Sequence, residues 1–163
     1  MNNLSNNFSK EILKKCDEWL LKFPKDQKKS AVIEILKIIQ KENNGYLNEE
    51  LIAQVANYLN IPKIFAYEVA TFYSMFDLEK VGKYKIYLCM SISCMLCGSD
   101  DIYEYIKQKL NVDFNKTTND GKFTLKKAEC LASCGGAPVM LINEKYYEDL
   151  TSNKIDFIID KLE

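Results

Sequence analysis

Five of the six cysteines in this 163-residue chain fall in two short segments, one carrying Cys89, Cys94 and Cys97 and the other Cys130 and Cys134. Each segment directly follows a run of β-forming residues, Tyr84 to Cys89 and Phe123 to Ala128. Four thiolates from two such segments can share one site only if both strands end at the same edge of a sheet. The pattern C-x4-C with a later C-x3-C is a strong metal signal, because thiolates select iron–sulfur clusters, zinc or cuprous copper. Spacing alone leaves the metal open. Cys94 and Cys97 form a tight C-x2-C knuckle, so a zinc site of Cys94, Cys97, Cys130 and Cys134 competes, while the wider C-x4-C loop has room to pass around two irons. A thioredoxin-type dithiol of Cys94 and Cys97 competes as well. Ser99, Asp100 and Asp101 would open a helix whose dipole lowers a nearby thiol pKa. That reading leaves Cys130 and Cys134 without a role.

The rest of the composition narrows the choice. The polar stretch Met1 to Asn7 has neither the basic start nor the apolar core of a secretory signal. The expectation is therefore a reducing, cytoplasmic compartment, where clustered cysteines bind metal or do redox chemistry more often than they pair. The sequence holds no histidine, which excludes His-ligated catalytic zinc, Rieske centres, Ser-His-Asp triads and Cys-His nucleophiles in this chain. The 22 basic residues are spread among 23 acidic ones for a net charge of −1, and no electropositive nucleic-acid surface is expected. No apolar run approaches the roughly 20 residues of a membrane span, so no membrane insertion is expected. The six glycines form no G-x-G-x-x-G and no phosphate-cradling loop.

Hydrophobic period divides the chain. Phe8, Ile12, Leu13, Cys16, Trp19 and Leu20 recur at helical spacing with Pro24 beyond them. Val32, Ile35, Leu36 and Ile39 form a second stripe closed by Asn43, Asn44 and Gly45. Asn48 is placed to cap a third helix with Leu51, Val55 and Leu59 inward, and Pro62 to open a fourth carrying Ile64, Phe65, Val69, Phe72 and Phe76. After Gly82 the period changes. Tyr84 to Cys89 reads as a strand and Ser99 as the cap of a helix with Ile102, Ile106 and Leu110 inward. Asn119, Asp120 and Gly121 make a turn into a strand over Phe123 to Ala128. Val139 to Ile142 and Tyr146 to Tyr147 read as two more strands. Thr151 caps a last helix with Ile155, Ile158, Ile159 and Leu162 inward. The expected fold class is α+β: an N-terminal helical bundle over residues 1–80, then a small α/β domain over 81–163.

Several stretches give the chain a more specific likeness. They are Tyr67 to Phe76, Cys94 to Leu96 with Gly98 to Asp100, Thr118 to Leu125, Glu129 to Leu131, Ala137 with Pro138, and Tyr146 to Leu150. In collinear order they resemble the thioredoxin-like 2Fe–2S ferredoxin family, in the branch that serves NADH:quinone oxidoreductase (respiratory complex I). The resemblance implies a thioredoxin-like domain holding one 2Fe–2S cluster on Cys89, Cys94, Cys130 and Cys134. It implies one-electron transfer with no catalytic residue of the chain's own. FMN and NADH are then expected on a partner, the flavin- and NADH-binding subunit, with other complex I subunits beyond it, at the cytoplasmic face of the inner membrane. The same module occurs in soluble NAD-linked hydrogenases and formate dehydrogenases, which are the alternative parents.

The resemblance also marks individual positions. Cys97 falls where the family commonly has another residue, often arginine, and is read as a non-ligand. Cys16 is read as a small core residue. Ala132 stands where many relatives have glycine; if the backbone there needs positive φ, alanine costs on the order of 1 kcal/mol. Gly135 and Gly136 serve a turn, a close approach of backbone N–H groups to the site, or both. The bond before Pro138 is expected to be cis. The aromatic-rich stretch from Ala66 to Phe76 is expected to be chiefly helix core.

Overall fold

A computed structural model of the chain describes residues 9–162; Phe8, Met1 to Asn7 and the C-terminal Glu163 lie outside them. Two compact units emerge, Met1–Lys80 and Val81–Glu163. The first holds α1 (Lys10–Leu20), a 3-10 turn at Lys28–Ala31, α2 (Val32–Glu42), α3 (Glu49–Leu59) and α4 (Lys63–Phe72). The second holds β1 (Tyr84–Cys89), α5 (Ile92–Leu96), α6 (Ser99–Leu110), β2 (Lys116–Thr117), β3 (Phe123–Ala128), β4 (Met140–Ile142), β5 (Lys145–Tyr147) and α7 (Ser152–Leu162).

In the first unit the caps follow from side-chain chemistry. Ser9 Oγ accepts from the Ile12 N–H at 3.4 Å and Asn48 Oδ1 from the Leu51 N–H at 2.8 Å, each satisfying a donor that an α-helix leaves open at its start. Asn60, left-handed at φ 56°, ends α3. Ile12, Cys16, Ile35, Leu36, Ile39, Val55 and Leu59 meet in one apolar core, as the helical stripes anticipate.

The fourth helix differs from its expected face. Its buried residues are Ala66 and Ala70, while Ile64 is 63% and Phe72 79% exposed. Small side chains let α4 lie close on its neighbours, and the large rings are turned outward. Phe76 is buried but lies past the helix, in a segment fastened by Gln40. Gln40 Nε2 donates to the Met75 carbonyl at 3.0 Å, and its Oε1 accepts from the Asp77 N–H at 2.7 Å.

In the second unit the sheet order is β2-β3-β1-β4-β5. The central strands β1 and β3 run parallel in a register that pairs Tyr84 with Phe123 and Cys89 with Ala128. The other pairings are antiparallel. Ile86, Leu88, Leu125 and Met140 join Ile102, Ile106, Ile155 and Ile159 in the core, so α6 and α7 share apolar packing with the sheet. Gly82 enters β1 where a Cβ would stand 2.7 Å from the Lys122 carbonyl oxygen; only glycine fits that approach.

Two local readings change. Ser99 is fully buried inside the first turn of α6, and the cap position is Gly98 at φ 91°. Between β1 and α6 a five-residue helix, α5, is too short to show a hydrophobic period. Thr151 does cap α7, its Oγ1 accepting from the Lys154 N–H at 3.3 Å.

Candidate metal centre

Because β1 and β3 are parallel neighbours in register, their C-terminal ends leave the sheet together. Cys89 is the last residue of β1, and Cys130 follows β3 by two positions. The Met90 N–H reaches across to the Ala128 carbonyl at 2.9 Å, and the Cys89 N–H donates to the Val139 carbonyl at 3.0 Å. These bonds root the first cysteine in three adjacent segments of chain.

The chain then turns at Ser91 into α5. One face of this short helix puts Cys94 inward, 1% exposed, and the opposite faces put Ile92 and Leu96 outward at 68% and 83%. Cys89, Cys94 and Val139 form a small buried cluster of their own, with Leu131 and Ala137 against it. Burial, first, and then a hydrogen bond with the Cys89 thiol push Cys94 from 9.0 up to about 11. The nearby Cys89 and Cys134 sulfurs add to the shift, and the Val139 backbone opposes it. Thiolates crowded in this way repel one another, and a bound cation reverses that penalty and holds the sulfurs deprotonated.

The second pair sits on a turn. Cys130 and Cys134 are exposed, and the Cys130 sulfur accepts from the Ala132 N–H at 3.3 Å. Ala132 has φ 56°, the left-handed conformation in which glycine would carry no cost. The other non-glycine residues with positive φ among those described are Asn44, Asn60, Asn111, Asn115, Asn143 and Asp149, all of a type whose short polar side chain tolerates that region. Ala132 is the exception. Cys134 opens a 3-10 turn, Cys134–Gly136, and the Ala137–Pro138 bond is cis.

The structure thus brings Cys89 and Cys94 into contact and places Cys134 within electrostatic reach of Cys94. The Cys130 sulfur is engaged by its own turn. Among the described residues no three His, Cys, Asp or Glu side chains close on a single-ion site. Cys97 lies at the end of α5, exposed, with its N–H on the Cys94 and Ser93 carbonyls, whereas Cys94 three residues earlier is buried. No disulfide joins any of the six cysteines. An all-sulfur donor set on two turns at one sheet edge fits a 2Fe–2S cluster, which takes four cysteine thiolates.

Two features of the site are not anticipated by the sequence pattern: helix α5, and a contact between Ser133 and Glu148. Ser133 Oγ donates to the Glu148 carboxylate, a pairing of residues far apart in sequence that no local pattern announces.

Comparison with known proteins places the chain in a family. Residues 16–163 match the family model of the thioredoxin-like [2Fe-2S] ferredoxin. A subunit of the NADH-quinone oxidoreductase of Rickettsia conorii is 49% identical over 156 residues, covering 96% of this chain and 93% of the relative. The mitochondrial NADH dehydrogenase [ubiquinone] flavoprotein 2 of Dictyostelium discoideum is 39% identical over 155 residues, covering 95% of this chain and 63% of that protein. Among solved structures, an air-oxidized NAD+-reducing [NiFe]-hydrogenase shares the fold at a TM-score of 0.68 and 19% identity. The match covers 78% of this chain and 22% of the hydrogenase chain. The chain belongs to the thioredoxin-like [2Fe-2S] ferredoxin family.

Proposed function

We propose that this family member is the 2Fe–2S electron-carrier subunit of an NADH:quinone oxidoreductase, with its cluster on Cys89, Cys94, Cys130 and Cys134. The observation that carries the reading is the parallel register of β1 and β3, which delivers both cysteine pairs to one sheet edge. Relatives that align over nearly the whole chain are named as one of that complex's subunits, whereas the hydrogenase likeness shows the fold alone.

When bound, the cluster supplies one-electron redox chemistry. The chain's own part is to hold four thiolates in place and to set their surroundings. Cys89 and Cys94 are fixed by their buried cluster with Val139 and by the main-chain bonds around Cys89. No proton-transfer or nucleophilic group is required.

The N-terminal helices form a bundle, residues 1–80 and 81–163 act as two domains, and the partner is the flavin-bearing, NADH-binding subunit, whose FMN exchanges single electrons with this chain. Among the described residues no helix is long and apolar enough to cross a membrane; attachment at the cytoplasmic face is through the complex.

The test is iron and acid-labile sulfide content with visible absorption that bleaches on reduction. Serine at any of the four ligands should remove or alter the signal, and Cys97→Ser should leave it intact. Protein without iron, or an unchanged signal in Cys89→Ser, refutes the assignment. Affinity purification should recover the flavin-bearing subunit together with this chain.

A further inference from the structure

The turn carrying the second cysteine pair is strapped down by the segment that leaves β5. The Asp149 N–H donates to the Gly136 carbonyl at 2.6 Å and the Leu150 N–H to the Pro138 carbonyl at 3.1 Å. The Glu148 side chain lies flat over Gly136, where an added Cβ would stand 2.6 Å from the Glu148 Cβ and 2.7 Å from its Cδ. That path brings the carboxylate to Ser133 Oγ, which hydrogen-bonds it. Ser133 lies between Cys130 and Cys134 and directly precedes the latter. At the other end, Lys154 Nζ donates to the Glu148 main-chain oxygen at 2.6 Å, tying the strap to the first turn of α7.

We propose that Glu148 is a positioning residue for the Cys130–Cys134 turn, acting through Ser133, and that its negative charge disfavours reduction of the cluster those cysteines would hold. The inference rests on the ligand assignment above. Two observations support it separately. Gly136 leaves no room for a Cβ beneath the Glu148 side chain, so the exposed carboxylate is brought to Ser133 along a path the backbone leaves open for it. The turn it reaches is the least buried part of the site, where Cys130, Ala132 and Cys134 are all exposed. With its cysteines exposed and only Leu131 and Ala137 packed on the neighbouring cluster, the turn relies on polar contacts for part of its shape. Charge-assisted hydrogen bonds are among the stronger ones a surface turn can use.

The experiment uses the purified holo-protein. Ser133→Ala, which removes the donor, should speed iron loss to a ferrous chelator by about three- to ten-fold, and Ser133→Thr should restore the wild-type rate. Glu148→Gln keeps the shape and an acceptor oxygen but drops the charge. It should move the midpoint potential in an EPR-monitored redox titration to a more positive value. A strap that merely packs over Gly136 would leave that potential where it was. The proposal is overturned by an unmoved potential in Glu148→Gln, or by wild-type iron loss in Ser133→Ala. The ligand assignment fails by a different result: iron retained unaltered in both Cys130→Ser and Cys134→Ser.

Discussion

Replacing Gln40 with leucine should destabilise the N-terminal unit by about 2–3 kcal/mol, a large effect for a residue outside any cysteine site. Gln40 is 8% exposed and stands on α2 among the apolar stripe. Its amide bridges two main-chain groups well over thirty positions away, the Met75 carbonyl at 3.0 Å and the Asp77 N–H at 2.7 Å. Between them Phe76 is held in the core at 6% exposure, and the Leu47 N–H adds a bond to the Asp77 carbonyl at 2.7 Å. Leucine has a similar volume and no polar atoms, so both main-chain groups lose this partner. The Asp77 N–H lies in a residue 2% exposed, and losing the bond there costs about 2–3 kcal/mol. The Met75 carbonyl, in a residue 37% exposed, recovers part of its bond from water and costs about 1 kcal/mol. The gain from burying leucine returns roughly 1 kcal/mol. Urea unfolding followed by Trp19, the sole tryptophan and a residue of α1, reads this unit directly. The matching fall in melting temperature is about 4–12 °C for a chain of this size. A Gln40→Leu variant within about 0.5 kcal/mol of wild type (the spread of surface substitutions), or more stable, refutes the reasoning.

Three further outcomes follow from single residues. Ala132 at φ 56° predicts the stability order glycine above alanine above valine at this position. Ala132→Gly should gain roughly 0.5–1 kcal/mol after glycine's greater unfolded-state freedom is counted, and Ala132→Val should lose about 1 kcal/mol or more; thermal unfolding in the reverse order would contradict the left-handed assignment. Cys16 is fully buried, and burial first, then the Asp17 carboxylate, push its thiol from 9.0 up to about 11. A raised folded pKa gives stability that is whole below the unfolded value and is lost as pH climbs through the folded one. Wild type should therefore shed roughly 2–3 kcal/mol between about pH 9 and 11 that Cys16→Ala does not, read as the difference between their denaturation curves across that range. Equal losses in the two proteins would show that Cys16 does not titrate in that window. Finally, iodoacetamide on the folded apoprotein at neutral pH should modify Cys97, Cys130 and Cys134 well before Cys16, Cys89 and Cys94, because the first three are exposed and the others buried. Mass spectrometry of peptides gives the order, and early labelling of Cys94 would speak against its placement.

Much of the second unit is legible in the chain because its signals are local. The bounds of β1 and β3 follow from runs of β-formers between glycine and turn residues, and the cysteine spacing sits on their ends. What the sequence leaves unannounced is either too short or too distant. Helix α5 has five residues and β2 has two, lengths at which no period exists to count. The face of α4 differs from expectation because large apolar residues dominate a periodicity count, while the close contact is made through Ala66 and Ala70. Gln40 on Met75 and Asp77, and Glu148 on Ser133, join residues that only the fold brings together. A polar residue within an apolar stripe is the one trace Gln40 leaves in the sequence.

The two cysteine pairs are held by different physics, and the difference accounts for where the unusual backbone lies. Cys89 and Cys94 take their positions from sheet register and a buried cluster with Val139, which fix them as packing fixes any core residue. Cys130 and Cys134 are themselves exposed, and only their neighbours Leu131 and Ala137 pack on that cluster. Their turn instead gathers a left-handed alanine, a glycine that admits no side chain, two main-chain bonds from the strap and one carboxylate on Ser133. Each of these specifies backbone shape locally, where burial cannot do so. A substitution in the core near Cys94 will be felt first as lost stability. On the ligand assignment proposed above, one in the 131–136 turn will be felt at the metal as well.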